Sequence, residues 1–165
     1  MAYSAVTRSL RDGAIVIKDG TSGTPLSCSV SCDDGDFRWT ERFEKVVTRC
    51  RGVISSRRPG DDQECQLSFS VHWRNLVNAA VEGAGSYPYM PYEFIKFLPT
   101  EVESTSDGLD TLDYYFTVTD EDNTATELFV FSDVFCTELT CQEGDPNTIQ
   151  FSGESALSAP TISQP

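Results

Sequence analysis

The stretch CQLSFSVHW, residues 65–73, decides the fold class of this 165-residue chain. Its apolar and polar residues alternate without exception, and a period of two is the pattern of a β-strand with one buried face. Residues 26–32 and residues 112–118 alternate in the same way. Three such segments, spread along the chain, predict a mainly β protein.

Shorter runs predict further strands on both sides of these segments. They cover residues 14–18, 37–40 and 148–152, and a longer strand is predicted over residues 43–54. Residues 128–135 are apolar on both faces, which is the pattern of a strand that is covered on both sides. Gly, Pro and Asp cluster between the runs, and this regular spacing predicts an antiparallel β-sandwich or barrel.

Helical signals are confined to the middle of the chain. Asn75 is a suitable N-cap for residues 76–82, whose apolar side chains form a stripe, so one flanking α-helix is expected there. Residues 92–98 are predicted to form a strand or a short helix. One domain, residues 1–153, accounts for all of these elements. Residues 154–165 are small, polar and proline-bearing, and are predicted to be a loose C-terminal tail.

The formal net charge is −14, and all of the excess lies in one part of the chain. Residues 1–96 contain all 12 Lys and Arg and 12 of the 26 Asp and Glu, whereas residues 97–165 contain the other 14 acidic residues and no Lys or Arg. One interpretation is solubility. The other is an acidic surface that faces either a basic partner or a molecule that the protein must not hold.

Most of the basic residues fall on one predicted long hairpin, with its tip near residues 55–62. They are Arg38, Arg42, Lys45, Arg49, Arg51, Arg57 and Arg58. Charge on an exposed strand protects it against aggregation, which is the simpler interpretation. Alternatively, the hairpin is a basic arm that meets the acidic half of another copy. Such a head-to-tail interface closes into rings or propagates as tubes, and charge complementarity steers its register.

Patterns of catalytic and metal-binding residues are missing from the sequence. His72 is the single histidine, it lies on the polar face of its strand, and no nucleophile motif accompanies it. The spacings Cys28-x3-Cys32 and Cys136-x4-Cys141 do not suit zinc, and residues 120–124 lack the glycine and the glutamate of a calcium loop. We therefore predict no enzyme activity, no metal and no cofactor.

The redox state of the six cysteines is expected to follow from the cell compartment. The N-terminus lacks the apolar segment of a secretory signal, and no run of 18 apolar residues predicts a membrane span. Because disulfides persist in oxidising compartments, we expect reduced thiols that act as small core residues.

Several short motifs resemble, in their order along the chain, the major tail tube proteins of long-tailed, siphovirus-like bacteriophages. The motifs are Met1-Ala2-Tyr3-Ser4, Arg11-Asp12-Gly13, Asp19-Gly20, Gly35-Asp36-Phe37, Arg58-Pro59-Gly60-Asp61-Asp62 and Glu143-Gly144-Asp145-Pro146-Asn147-Thr148-Ile149. An alternating strand followed by a helix is similar too. The resemblance runs over most of residues 1–153.

The resemblance implies a β-sandwich with a flanking helix that assembles into stacked six-fold rings, around a channel through which the phage genome passes. An extended hairpin and loops join the subunits, and the tape measure and tail terminator proteins are further partners. The protein would be made in the host cytoplasm and reside in the virion tail, without specific DNA binding and without a membrane.

An acidic inner wall is also implied, and physical chemistry supplies a reason for it. DNA phosphate binds Lys and Arg tightly, so a conduit in which DNA slides should expose carboxylates instead. The candidates lie on or beside strands close to the acidic turn at residues 120–124. They are Asp113, Glu127, Asp133, Glu138 and Glu143.

Three other functions remain open at the level of sequence. The first is a related ring protein, either a head–tail connector or a ring at the tail end. The second is a β-sandwich module that binds carbohydrate or a host surface through Trp39, Trp73 and residues 87–89. The third is a nucleic-acid binder that uses the basic hairpin, against which the acidic pI of ≈ 4.2 argues.

Overall fold

The computed structural model describes residues 13–30, 37–72, 89–119, 126–144 and 147–163. Within these residues the chain forms ten strands and one short helix, which confirms the mainly β fold class. The strands are β1 (Gly13–Lys18), β2 (Ser27–Val30), β3 (Arg38–Thr40), β4 (Phe43–Cys50), β5 (Val53–Asp62), β6 (Cys65–His72), β7 (Thr111–Thr119), β8 (Thr126–Gln142), β9 (Thr148–Ser155) and β10 (Thr161–Ser163). The helix, α1, is Pro91–Ile95.

Eight of the strands form one antiparallel sheet. Seven of them follow the order β2-β1-β7-β8-β9-β6-β3, and β10 pairs with β8 beside this path. The long strand β8 is the centre of the sheet, because its first half pairs with β7 and β10 and its second half pairs with β9. The other two strands, β4 and β5, form a separate two-stranded sheet.

The large sheet curls, so that its two ends face each other across an aromatic core. Phe37, next to β3, stacks on Phe116 of β7 with the ring centroids 4.3 Å apart. Trp39 of β3 lies 5.3 Å from Phe129 of β8. Since β3 is hydrogen-bonded to neither β7 nor β8, these contacts cross the interior. Each aromatic pair stabilises the fold by about 1 kcal/mol beyond its buried area. The predicted sandwich is therefore made by one curled sheet.

The alternation of residue types along the strands is also the alternation of burial. In β6, Cys65, Leu67, Phe69 and Val71 are buried, whereas the polar residues between them lie on the outer face. β7 repeats this pattern from Leu112 to Thr119, and Thr111 before it is also buried. Buried apolar surface stabilises a fold by about 25 cal/mol per Å². A register slip by one residue would expose the whole apolar set of a strand, so the pattern determines which face is inside.

β8 corrects the expectation that its apolar run is covered on both faces. Phe131 and Val134 are buried, but Phe135 is 39% exposed. The cause is a bulge opposite Asp113, where two residues of β8 face one residue of β7. Asp133 lies in this bulge with φ of 51°. The extra residue reverses the alternation that follows it, and this reversal turns Phe135 outward.

The helix and tail predictions have mixed outcomes. The α-helix predicted at residues 76–82 lies outside the described residues. Of the two forms predicted for residues 92–98, the structure has the short helix, which begins at Pro91. The residues assigned to a loose tail, 154–165, include the end of β9 and the strand β10, which pairs with residues 128–130 of β8.

A buried carboxylate joins the β1–β2 turn to the loop that precedes β7. Asp19 is 3% exposed and accepts hydrogen bonds from the backbone N–H groups of Leu26 and Glu103, at 2.7 and 3.2 Å. The Gly20 N–H donates to the Glu103 carbonyl at 2.9 Å, and a Cβ on Gly20 would overlap the carbonyl oxygen of Ser104. These contacts hold the loop of residues 99–110 against the body.

Candidate functional site

Strands β4 and β5 form a two-stranded arm, residues 43–62, that pairs with no other strand of the described chain. Its turn is Arg51–Gly52, inside the closing pair of Cys50 and Val53. Both turn residues have positive φ, 49° and 85°, as a two-residue type I′ turn requires. The predicted long hairpin is confirmed. Its predicted tip at residues 55–62 is wrong, and so is the single strand predicted over residues 43–54.

The tip was misplaced because residues that favour turns also suit a β-bulge. Pro59 and Gly60 lie within β5, where the register shifts between the pairs of Phe43 and Lys45. Proline lacks an N–H donor, and an irregular edge strand tolerates that loss. Arg51, in contrast, is not a residue type that favours positive φ. Gly52 suits the turn, but the signal of one glycine at the true turn was weaker than that of Pro59, Gly60 and Asp61.

The arm exposes large apolar side chains. Phe43 is 87% exposed, Val53 70% and Ile54 41%. A two-stranded hairpin by itself is at best marginally stable in water. Phe43 lies at the base of the arm, and Val53 and Ile54 lie at its turn. Large exposed apolar residues on such an element are typical of a surface that another molecule covers.

The cations of the arm are divided unequally between its two faces. Successive residues of a strand alternate between faces, and cross-strand partners share one. Arg49 pairs with Ile54, and by this rule Lys45 and Arg57 lie on the same face as that pair. Arg58 lies on the opposite face. We call the face of Lys45, Arg49, Ile54 and Arg57 the basic face of the arm.

Two of the seven predicted arm residues lie outside the arm. Arg38 is part of β3, and Arg42 lies in the link between β3 and β4. Nη2 of Arg42 donates to Oε1 of Gln66 at 2.8 Å, and Nε2 of Gln66 donates to Oε1 of Glu154 at 2.9 Å. This hydrogen-bonded chain ties the base of the arm to β6 and β9. The arm itself carries Lys45, Arg49, Arg51, Arg57 and Arg58.

The five acidic candidates do not share one face of the sheet. Asp113 and Asp133 lie together at the bulge of β8, where the Asp133 N–H donates to Oδ1 of Asp113 at 2.9 Å. Glu127 is half-buried near the start of β8. Glu138 lies in the second half of β8, and Glu143 directly follows the strand. The structure thus brings two of the five together and leaves the other three apart.

The Asp113 carboxylate serves the fold. Burial raises the pKa of this carboxyl above its ordinary value, and the charge of Asp133 adds to the effect. The hydrogen bond from the Asp133 N–H and the charge of Lys18 act in the opposite direction. Because the carboxylate holds the backbone of the bulge, its position is determined by β8.

The outer face of β6, β9 and the second half of β8 beyond Phe135 is polar, and these stretches contain no Lys or Arg among their described residues. Arg38 of β3 pairs with Ser68 and borders this face. Ser68 and Ser70 of β6 lie beside Gln150 and Ser152 of β9 in a shallow groove. Glu138 pairs with Ser152 and extends the same face onto β8. Hydroxyl, amide and carboxylate groups offer DNA phosphate none of the cations that bind it tightly. We call this surface the polar face.

An open cleft of ≈ 240 Å³ lies between the base of the arm, the end of β9 and the loop of residues 99–110. We call it the acidic cleft, and its main lining residues are Glu64, Leu109, Asp133, Phe135, Glu154 and Ala156. Leu109 and Phe135 are exposed. Sequence reasoning missed this cleft because it predicted that residues 128–135 are covered on both faces, which would bury Phe135.

Thiols and metal-binding groups show little sign of chemistry. The described residues contain no group of three or more His, Cys, Asp or Glu that is able to hold a metal ion. The five described cysteines are free. Cys28 and Cys65 lie in the core, as predicted, but Cys50 and Cys141 are exposed, so the prediction of core thiols is wrong for these two. Burial, with a smaller effect from the charge of Glu93, raises the pKa of Cys28 to about 12, so this thiol stays protonated.

The aromatic residues considered for sugar binding do not form a surface platform in the described chain. Trp39 is half-buried, packs against Phe129 and Phe131, and donates from Nε1 to Oε1 of Glu41 at 3.3 Å. Trp73 and residues 87–88 lie outside the described residues. Tyr89 packs on Phe94 of α1, with the ring centroids 5.5 Å apart.

Among the described residues there is also no helix with the length and apolarity that a membrane crossing requires.

Comparison with known proteins gives matches at the level of the fold. No protein-family model matches the sequence, and no curated protein matches it. A chain in the cryo-EM structure of the anti-feeding prophage cap, an AFP tube terminating cap, matches with a TM-score of 0.55 and 15% identity, over 100% of this chain and 95% of that chain. A chain in the PVC sheath/tube terminator, from an extracellular contractile injection system in the extended state, matches with a TM-score of 0.54 and 11% identity, over 90% and 92%. A chain in the sheath-tube complex of that system matches with a TM-score of 0.51 and 10% identity, over 90% and 87%.

These matches support a fold related to that of tail tubes. They come from an anti-feeding prophage and a contractile injection system, so they do not support the narrower resemblance to the major tail tube of long-tailed phages.

Proposed function

We propose that this chain is a non-enzymatic structural subunit of a phage-tail-like particle, in which copies of it join head to tail. The observation that carries the proposal is the arm, an exposed basic ribbon with apolar side chains. It projects from a chain whose last 69 residues contain 14 acidic residues and no Lys or Arg. Such a ribbon gains stability when another copy covers it. Different patches that meet head to tail produce rings or tubes.

The likeness to chains from cap, terminator and sheath-tube structures supports the same function. In its full form, the proposal is that six-fold rings stack into a tail tube through which the genomic DNA leaves the particle. The tape measure and tail terminator proteins are the expected partners. The subunit is made in the host cytoplasm, resides in the virion tail, and needs no cofactor or metal.

The polar face is the surface best suited to the lumen of such a tube. It offers hydroxyl and amide groups with Glu138, and the described residues of its three strands include no Lys or Arg that would hold DNA phosphate, so cations border it only at Arg38 and Arg42. Glu143 extends the acidity beyond the end of β8. Asp113 and Asp133 lie at the bulge, away from this groove, and Glu127 is at the far end of β8, so these three are weaker candidates for the same wall.

A ring at one end of a tube is the second candidate. Two of the matched structures are a tube terminating cap and a sheath/tube terminator. A subunit of this kind, like a head–tail connector, forms a ring at a single level and need not polymerise. It shares the arm-mediated contact within the ring but not the stacking of one ring on the next.

Negative-stain electron microscopy and sedimentation of the purified protein, at several concentrations, test the proposal. Stacked rings with an open bore indicate a tube subunit, and single rings indicate a ring at the tube end. A matched control replaces residues 45–59 with Asn-Gly, which shortens the arm to a tight turn and should leave a folded monomer. If the wild-type chain stays monomeric at every concentration, even with particle-tip proteins as nucleators, both candidates are excluded. Quenching of tryptophan fluorescence by sugars then becomes the next measurement.

A further inference from the structure

We infer that the basic face of the arm seats in the acidic cleft of a second copy of this chain. The inference rests on the proposed self-assembly and adds the surface that receives the arm. It places Ile54 against the apolar side chains of the cleft, Leu109 and Phe135. The cations beside Ile54 then lie near the carboxylates that rim the cleft.

The two surfaces have complementary charge. Residues 45–59 contain five cationic residues and no Asp or Glu. The cleft is lined by Glu64, Asp133 and Glu154, and no Lys or Arg is among its lining residues. Opposite charges on two faces steer their encounter and set the register of the contact. The same charges disfavour the contact of arm with arm and of cleft with cleft, so the pairing is directed.

The two surfaces also have complementary apolar area. Ile54 is exposed on the basic face of the arm, and Leu109 and Phe135 are exposed at the cleft. Each of these side chains leaves apolar surface in water in a single copy. Contact between arm and cleft would bury both sets together, and buried apolar area is the main favourable contribution to protein association.

The distance along the arm requires that the cleft belong to another copy. Glu64 follows the last residue of β5 by two positions, so the cleft lies at the base of the arm. The seven residue steps from Phe43 to Cys50, at about 3.4 Å each, carry the turn about 24 Å from that base. The Ile54 end of the arm therefore does not reach the cleft of its own chain. Each copy offers one arm and one cleft, and this joint is heterologous, so it builds rings or filaments.

Matched charge reversals test the inference on the full chain. Arg57 and Arg58 are adjacent on β5 but lie on opposite faces. Arg57→Glu is expected to raise the concentration needed for assembly by roughly tenfold, the equivalent of one lost charge contact. Arg58→Glu, with the same change of charge, should leave that concentration within about threefold of wild type. In the cleft, Glu64→Lys should match Arg57→Glu. Its control is Glu101→Lys, at an exposed position outside the cleft.

A mixing experiment tests the head-to-tail geometry. Ile54→Asp places a charge in the apolar contact of the arm and leaves the cleft unchanged. Leu109→Asp places a charge in the apolar contact of the cleft and leaves the arm unchanged. Each variant alone should remain monomeric in sedimentation. An equimolar mixture has one intact arm and one intact cleft per pair, so it should form 1:1 dimers and nothing longer. Circular dichroism verifies that each variant is folded.

The outcomes separate the inference from the proposed function. If the wild-type chain assembles, but the cleft variants assemble as well as wild type, the acidic cleft is not the receiving surface and the inference is overturned while self-assembly stands. If the mixture yields no dimers although both variants are folded, the head-to-tail joint of arm and cleft is overturned. If the wild-type chain never assembles, the proposed function fails, and the inference fails with it.

Discussion

Replacing Asp19 with Ala is expected to release the loop that supplies Leu109 to the acidic cleft. Oδ1 of Asp19 accepts the N–H groups of Leu26 at 2.7 Å and Thr21 at 3.3 Å. Oδ2 accepts the Glu103 N–H at 3.2 Å and the Thr21 hydroxyl at 2.5 Å. The carboxylate is buried, so the substitution leaves backbone donors without their acceptor in a site with little access to water.

The magnitude follows from the hydrogen bonds that Asp19 accepts from Leu26 and Glu103. A hydrogen bond to a charged group contributes about 1.5–3 kcal/mol, and Ala offers no acceptor to either Leu26 or Glu103. Asp19→Ala should therefore lower the free energy of unfolding by about 4 kcal/mol. In a chain of this size, that corresponds to a melting temperature lower by about 8–16 °C. Thr21→Val, which removes only the hydroxyl bond, should cost about 1 kcal/mol.

Urea unfolding followed by circular dichroism measures both variants, with hydrogen exchange at the Glu103 amide as a local probe. We expect an unchanged m-value and a lower midpoint, with faster exchange at Glu103. The Asp19→Ala variant should also assemble more weakly, because Leu109 is no longer held in place. If its unfolding free energy lies within about 1 kcal/mol of wild type and the Glu103 amide stays protected, the carboxylate does not hold the loop.

Three further predictions concern the core and the titrating groups. Gly153→Ala places a Cβ 2.7 Å from the Phe151 ring and should lower the free energy of unfolding by about 1–3 kcal/mol, measured by urea unfolding; an unchanged midpoint would show that β9 has room for it. Burial raises the pKa of Cys28 to about 12, so this thiol should react with a thiol reagent at pH 8 only when the protein unfolds. The exposed Cys50 should react at once, and mass spectrometry of the labelled peptides measures both rates. Burial raises the pKa of Asp113, so the neutral carboxyl favours the folded state and its ionisation disfavours it. This stabilisation is fully present below the ordinary Asp pKa of 3.8, and it is lost as the pH rises through the higher pKa of the folded protein. Asp113→Asn should remove this loss of stability, measured as the melting temperature at a series of pH values from below the ordinary Asp pKa to above the raised one. Identical profiles of melting temperature against pH for the two proteins would contradict the prediction.

The fold class and the inner faces of the strands were predictable, because each depends on neighbours along the chain. The period of two in residues 65–72 and 112–118 states which side of each strand is apolar, and burial follows that side without exception. The segregation of charge is likewise a property of composition. The existence of the arm and its positive charge were also predictable, because its cations lie within one short stretch of the sequence.

Tertiary structure decided the tip of the arm, the bulge and the cleft. The turn at Arg51–Gly52 follows from the pairing of β4 with β5, and the arginine there adopts a positive φ that its residue type does not favour. The bulge at Asp133 exists because β8 must match β7 on one side and β9 on the other. One extra residue reverses the alternation and turns Phe135 outward into the acidic cleft. Sequence by itself determined which residues of this protein are apolar and where its charges lie. Register between distant strands decided which of them meet, because strand pairing depends on residues far apart in the chain, and local periodicity holds no information about them.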